Sequence, residues 1–260
     1  MLNSRRRSSD LAHRRFRRGV YLLPSLLTLG NLFCGYACIV YTMREEYAMA
    51  APFVGIAFIL DGLDGRIARM TGTEGPFGLQ FDSLADMISF GLAPAILAYS
   101  WGLRPFGRWG WAVGFIFVTA AAMRLARFNI QAGSVDKRYF VGMPSPAAAG
   151  VVAATIFAYP AGLHEASGAA PVMVLMLVPA FLMVSTIRFR SLKAIDLQAP
   201  RSYRVVLVLG SVIAAIWAHP AGALLILAYT YLASAFVEMA ANRLRHRTPE
   251  VPVAAPAEQE

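Results

Sequence analysis

The sequence predicts an all-α membrane protein with about eight transmembrane helices. Hydrophobic residues make up 57% of the 260 positions and charged residues 15%, and the mean hydropathy is +0.53. Soluble domains carry about 25% charged residues, so this composition excludes a water-soluble fold. The net charge of +9 comes from Lys and Arg between apolar segments rather than from one basic surface. We therefore expect lipid, and no nucleic acid, as the surrounding partner.

Eight apolar segments carry this prediction. A helix needs about 20 residues to cross roughly 30 Å of hydrocarbon at about 1.5 Å per residue. The segments of comparable length are 20–43, 47–60 with an extension towards 70, 81–101, 109–123, 146–163, 169–187, 205–218 and 220–239. Only His219-Pro220 breaks the chain between the last two, which leaves six or seven spans as alternatives.

The basic residues predict the orientation of these spans. With the N-terminus in the cytoplasm, only Arg44, Arg104 and Arg108 of the 24 Lys and Arg residues fall on the outer side. Short cytoplasmic loops carry such an excess of positive charge, so both termini are expected in the cytoplasm of a multi-pass inner-membrane protein. The expected division is a basic cytoplasmic tail at 1–19, a membrane domain at 20–240 and a disordered cytoplasmic tail at 241–260.

Four aspartates lie where the second and third apolar segments meet. Asp61 and Asp64 are separated by about 60° around the second helix, and Asp82 and Asp86 by about 40° around the third. Each pair therefore shares a helix face. The two pairs are expected to face each other across a helical hairpin.

Such a cluster predicts a metal centre. An Asp inside the membrane costs roughly 2.5–3.5 kcal/mol on insertion scales, and four like charges repel one another. Divalent cations would offset both costs, and oxygen ligands favour Mg²⁺ or Mn²⁺, with Ca²⁺ possible, over Zn²⁺. Two such ions balance four carboxylates, which suggests a two-metal centre that binds phosphate oxygens.

Small and basic residues accompany the aspartates. Gly65 and Ala68 follow Asp61 on its helix face and, with Gly78, leave room for a bulky ligand. Arg69 is the candidate for a bidentate phosphate contact. Close helix packing is the alternative explanation for the small residues, but it does not explain the carboxylates.

The spacing of these residues resembles the signature of the CDP-alcohol phosphatidyltransferase family. Eight positions over 26 residues match it: Asp61, Asp64, Gly65, Ala68, Arg69, Gly78, Asp82 and Asp86. Three further segments resemble the phosphatidylserine synthase branch of that family. They are LTLGNLFCGY at 27–36, RLARFN at 124–129 with FVGMPSPAAA at 140–149, and MVSTIRFRSLKAIDL at 183–197.

The resemblance implies roles for these residues. Asp61, Asp64 and Asp82 would bind one divalent ion, Asp61, Asp82 and Asp86 the second, and Asp86 would also be the general base. Gly65 and Arg69 would contact the diphosphate or the nucleotide of CDP-diacylglycerol. The implied reaction transfers the phosphatidyl group to the hydroxyl of L-serine and releases CMP. A homodimer with a polar cavity open to the cytoplasm is also implied.

Further residues are candidates for substrate binding. Thr28 and Asn31 in the first helix could reach the nucleotide or bind a neighbouring helix. For the serine carboxylate the candidates are Arg124 and Arg127 with Asn129, and the rivals are Arg188 and Arg190.

Two other functions stay open at this stage. Within the family, the acceptor could be glycerol 3-phosphate or an inositol phosphate. From another class, a cation transporter also carries carboxylates inside the membrane, although usually near the midplane.

Overall fold

A computed structural model describes residues 24–72, 75–131, 139–163, 166–185, 188–190 and 202–245. Its long elements are helices, and two three-residue strands accompany them. In chain order they are α1 (Pro24–Met43), α2 (Tyr47–Thr71), α3 (Pro76–Asp86), α4 (Ala93–Ala98), α5 (Arg108–Gln131), β1 (Tyr139–Val141), α6 (Ser145–Ala158), α7 (Ala166–Val184), β2 (Arg188–Arg190), α8 (Ser202–Ala218) and α9 (Pro220–Arg245).

The third span is longer and less regular than the sequence predicts. It runs from Pro76 to Phe106, and π-helical turns at Met87–Leu92 and Tyr99–Leu103 flank α4. It begins five residues before the predicted start because Pro76 occupies the first helical turn after an extended Gly75. Asp82 and Asp86 therefore lie well inside the helix rather than at its first turn.

The membrane class of the fold is confirmed. Within the described ranges four helices are long and apolar enough to cross a bilayer, namely α1, α2, the span from Pro76 to Phe106, and α5. The count of eight spans is not confirmed. One reason is that α6 has 14 residues, or about 21 Å of rise, which is shorter than the hydrocarbon layer.

Several helices have other bounds than the predicted apolar segments. The helix α5 continues to Gln131 and includes the RLARFN segment, and α9 continues to Arg245, into the segment predicted as a disordered tail. The helix α7 ends at Val184, and Arg188–Arg190 pairs antiparallel with Tyr139–Val141. This small sheet accompanies a fold whose described long elements are all helices, as predicted. The tails at 1–23 and 246–260 lie outside the described residues.

The core lies where α2 packs on α6, α5 packs on α7, and α9 covers α6. Phe90, Leu97, Phe117, Val151 and Met176 are fully enclosed or nearly so. Cys34 and Cys38 are buried free thiols on the inner face of α1. Many large apolar side chains point outward instead, as expected for a helical bundle solvated by lipid: they include Phe33, Phe58, Phe115, Phe181 and Trp217.

Candidate active site

Carboxylates from two helices converge at one end of the bundle. One oxygen each from Asp61 and Asp64 on α2 and from Asp82 on α3 lie within 4.8 Å of one another. The two helices are close in sequence: α2 ends at Thr71 and is capped by Gly72, whose φ is 63°, and α3 starts at Pro76. The helical hairpin therefore brings these three side chains together.

The cluster fits a divalent cation. Asp82 Oδ1 is buried and has no hydrogen-bond partner among the described residues. A buried carboxylate oxygen without a partner is costly, and three converging carboxylates repel one another. An ion that prefers oxygen ligands would remove both costs, and every ligand offered by this group is an oxygen.

Asp86 lies near the group of Asp61, Asp64 and Asp82 but is not one of its three members. It lies one turn after Asp82 on α3, is buried, and experiences the negative charges of Asp61 and Asp82. Asn31 Nδ2 donates a hydrogen bond of 3.0 Å to Asp86 Oδ1. The fourth aspartate is thus near the cluster, and its closest described contact is an amide of α1.

A second residue of α1 contacts the cluster in the same way. Thr28 Oγ1 donates to Asp64 Oδ2 over 2.8 Å, and it is also 3.1 Å from the carbonyl of Pro24. Thr28 and Asn31 therefore both form helix–helix contacts with carboxylates, the alternative that the sequence left open. Contact of Thr28 or Asn31 with a nucleotide stays a prediction.

The small residues border open space. A Cβ built on Gly78 would meet no atom within 4 Å, and one built on Gly65 would meet only the guanidinium of Arg69, at 3.5 Å. The side chain of Arg69 is exposed and its charge attracts Asp64, while Ala68 is half-buried. A positively charged group thus lies next to the carboxylates on the open side.

The three acceptor-site candidates on α5 have different surroundings. Arg124 Nη1 donates to Ser145 Oγ over 2.8 Å, and the guanidinium is attracted by Asp86 and Asp61. Arg127 Nη1 donates to the carbonyl of Val184, the last residue of α7, over 3.2 Å. Asn129 Nδ2 donates to Ser83 Oγ over 2.9 Å.

Arg124 therefore interacts electrostatically with the aspartates. Arg127 interacts with the carbonyl end of α7, where a cation is favourable. The backbone of Arg188 and Arg190 belongs to β2, and their side chains lie outside the described part.

Sequence reasoning missed Ser145 as an individual residue. Ser145 is fully buried, begins α6 and accepts the hydrogen bond from Arg124. The sequence does indicate that a helix begins near Ser145, because Pro144 and Pro146 in the FVGMPSPAAA segment predict a helix start. Its partner could not be predicted, since Arg124 lies on a different helix.

The helical membrane fold and a carboxylate cluster at one end of the bundle define an integral membrane protein with a candidate metal-dependent site. Residues 21–245 match the sequence profile described as CDP-alcohol phosphatidyltransferase. The chain belongs to this family.

Curated relatives have related names. A CDP-diacylglycerol–serine O-phosphatidyltransferase of Helicobacter pylori (strain ATCC 700392 / 26695) is 48% identical over 133 residues, which are 51% of this chain and 56% of the relative. The protein of the same name from Mycobacterium bovis is 38% identical over 144 residues, 52% of this chain and 49% of the relative. The chain thus spans about half the length of these curated relatives.

The match covers a larger share of an archaeal relative. An archaetidylserine synthase of Methanothermobacter thermautotrophicus is 36% identical over 169 residues, 64% of this chain and 69% of the relative.

Proposed function

We propose that this protein transfers the phosphatidyl group of CDP-diacylglycerol to the hydroxyl of L-serine, giving phosphatidylserine and CMP. The observation that carries the proposal is the convergence of Asp61, Asp64 and Asp82, with a buried carboxylate oxygen left unpartnered in the described structure. Family membership and the names of the curated relatives support the same chemistry.

Two divalent cations, Mg²⁺ or Mn²⁺ with Ca²⁺ possible, are proposed as cofactors. Asp61, Asp64 and Asp82 would hold one, and Asp61, Asp82 and Asp86 the other. When bound, such ions neutralise charge on a diphosphate and stabilise a phosphate leaving group. The oxygen-only composition of the cluster supports this class of ion over Zn²⁺.

Asp86 is proposed as the general base. The serine hydroxyl oxygen would form a bond to the lipid-side phosphorus, the bond from that phosphorus to the oxygen of CMP would break, and Asp86 would take the hydroxyl proton. A hydroxyl is a weak nucleophile at neutral pH, so a positioned base is needed. The bond from Asn31 to Oδ1 leaves the second carboxylate oxygen of Asp86 as the acceptor for that proton.

The lipid donor would lie on the open side of α2 and α3. Arg69 is proposed to bind the diphosphate, and the space beside Gly65, Ala68 and Gly78 to admit the nucleotide. Thr28 and Asn31 are further proposed contacts for the donor, because their side chains bind Asp64 and Asp86 of the same site.

An apolar groove supports a lipidic donor. It has a volume of about 820 Å³ and runs along α1 from Leu26 to Ile39, with Ile88 and Leu92 on its other side. Ile88 is two residues after Asp86 in the same helical span, which places one end of the groove about 3 Å of helix rise from that aspartate. An acyl chain of CDP-diacylglycerol is the occupant that this proximity favours.

The acceptor site is proposed around Arg124, with Arg127 and Asn129 on the same turns of α5. The negative charges of Asp86 and Asp61 act on the guanidinium of Arg124, which supports a serine carboxylate bound to Arg124 on the same side of the site as the proposed base. Purified protein should release CMP with L-serine. Release only with glycerol 3-phosphate or an inositol phosphate would reassign the acceptor, and no release with any alcohol would contradict the proposed reaction.

We further propose eight spans, a homodimer and an inner-membrane location with both termini in the cytoplasm. The 21 basic residues on the proposed cytoplasmic side support the orientation. Tags at both termini should be inaccessible from outside intact cells. External labelling of the C-terminus alone would show an odd number of spans.

A further inference from the structure

We propose that Thr28 and Asn31 are positioning residues that hold two carboxylates of the site, Asp64 and Asp86, in their working orientations. This proposal deepens the proposed function and depends on it for the roles of the two aspartates. It is distinct from the proposed contact of the same residues with the nucleotide, because a positioning residue acts through the carboxylate that it binds.

Both contacts come from one face of α1. Thr28 and Asn31 are three residues apart, hence about 60° apart around the helix, and each donates to an aspartate on a different helix. Thr28 is 6% exposed and Asn31 is fully buried, so neither bond competes with water. One helix thus holds a carboxylate of α2 and a carboxylate of α3 at a set separation.

The register of α1 is itself held in place. Ser89, in the π-helical turn after Asp86, donates through Oγ to the carbonyl of Asn31 over 2.8 Å. A Cβ built on Gly35 would lie 2.5 Å from Ser89 Oγ and 2.9 Å from Ser89 Cα. Only glycine allows this approach, so Gly35 and Ser89 together fix where Asn31 meets Asp86.

The chemistry of Asn31 argues that its bond to Asp86 is directional. In its proposed role as the base, Asp86 is ionised and only accepts hydrogen bonds, so that role requires the amide nitrogen of Asn31 to face it. Asn31 Oδ1 is then buried without a partner in the described structure. An apolar residue would avoid that cost, whereas the amide supplies the donor that Asp86 needs.

The test uses a near-isosteric pair. Thr28→Val removes the hydroxyl and keeps the shape, and Thr28→Ser keeps the hydroxyl. Loss of a residue that orients a metal ligand typically costs about 10–100-fold in metal affinity or activity. Binding of Mn²⁺ to the purified substrate-free protein, followed by electron paramagnetic resonance, should weaken by that factor in Thr28→Val and recover in Thr28→Ser.

A matched control lies on the same helix. Thr42 is also buried, but its hydroxyl bonds only the carbonyl of Cys38 among the described contacts, over 2.7 Å. Thr42→Val should therefore leave Mn²⁺ affinity unchanged. For the second contact, Asn31→Leu should lower kcat about 10–100-fold with the KM for CDP-diacylglycerol within about twofold.

The outcomes separate the two proposals. If Thr28→Val keeps normal Mn²⁺ affinity, or Thr28→Ser is as impaired as Thr28→Val, the positioning role is wrong. If Thr28→Val and Asn31→Leu raise only the KM for CDP-diacylglycerol, the residues contact the donor instead. Because Mn²⁺ binding needs no substrate, a wild-type protein that binds Mn²⁺ but transfers nothing would contradict the proposed function alone.

Discussion

The two ends of the helical bundle differ in how fully their polar groups are paired. At the end that carries Arg104, polar groups bind one another: Arg104 pairs with Glu45 over 3.0 Å, and Trp101 Nε1 donates to the carbonyl of Tyr159 over 2.9 Å. At the end that carries the aspartates, a buried oxygen of Asp82 has no described partner. The two ends are roughly 20 Å apart along α2, since Asp61 lies 14 residues after Tyr47.

This difference indicates which end of the bundle only stabilises the fold and which end carries the candidate site. Polar groups that are paired with each other need no ligand to satisfy them. Converging carboxylates with an unpartnered oxygen lower the stability of the protein unless a ligand of opposite charge binds them. The cost at the aspartate end is therefore evidence for a ligand.

The largest expected effect comes from the shared carboxylates. Asp61→Asn or Asp82→Asn should reduce CMP release by more than about 100-fold, because each residue is proposed to bind both ions. The change removes charge and keeps shape, so the protein should still insert into the membrane and fold. Rates of CMP release at saturating Mg²⁺ or Mn²⁺ provide the measurement.

Glu45→Gln is the matched control at the opposite end. It makes the same acid-to-amide change in an exposed ion pair, which contributes at most about 1 kcal/mol to stability. Its rate of CMP release should equal that of wild type. Near-normal rates in Asp61→Asn or Asp82→Asn would contradict the assignment of shared ligands.

A smaller effect is expected at the acceptor site. Loss of a charge-assisted hydrogen bond costs about 1.5–3 kcal/mol, so Arg124→Ala should raise the KM for serine about 10–150-fold. The KM for CDP-diacylglycerol and kcat should change little, because a uniform loss of binding affects KM alone.

Arg127→Ala sharpens the same experiment. Its described bond to the carbonyl of Val184 predicts a smaller change in the KM for serine than Arg124→Ala causes. If both variants instead weaken CDP-diacylglycerol and leave serine unaffected, the arginines belong to the donor site. The acceptor site would then have to be sought around Arg188 and Arg190.

The smallest effect is expected at the end of the bundle that carries Arg104. Trp101→Phe removes the indole N–H that binds the carbonyl of Tyr159 and keeps an aromatic ring in the core. Unfolding should become easier by about 0.5–1.5 kcal/mol, the usual net value of one hydrogen bond. Thermal unfolding in detergent measures this change, and transfer activity should stay at the wild-type level. A large loss of activity would show that the two ends are coupled.

The sequence predicted the class of fold because composition and hydropathy depend only on residue type. It also predicted that the aspartate pairs face each other, since the spacing of Asp61, Asp64 and Asp82 places them on helix faces near one reversal of the chain. Local rules are sufficient for both inferences.

Features that depend on contacts between distant segments could not be predicted in this way. The bonds of Thr28 and Asn31 to Asp64 and Asp86 span 36 and 55 residues. The pairing of β1 with β2 joins two loops, and the π-helical turns of the third span have no simple sequence signal. The early start at Pro76 agrees with the Gly75-Pro76 pair, a signal that hydropathy does not contain.

CMP release tests the central claim most directly. Purified protein should release CMP from CDP-diacylglycerol only when L-serine and Mg²⁺ or Mn²⁺ are both present, and chelation of the metal should abolish release until the ion is restored. Equal release with and without a divalent cation would contradict the claim that the aspartate end of the bundle is a metal-dependent transfer site.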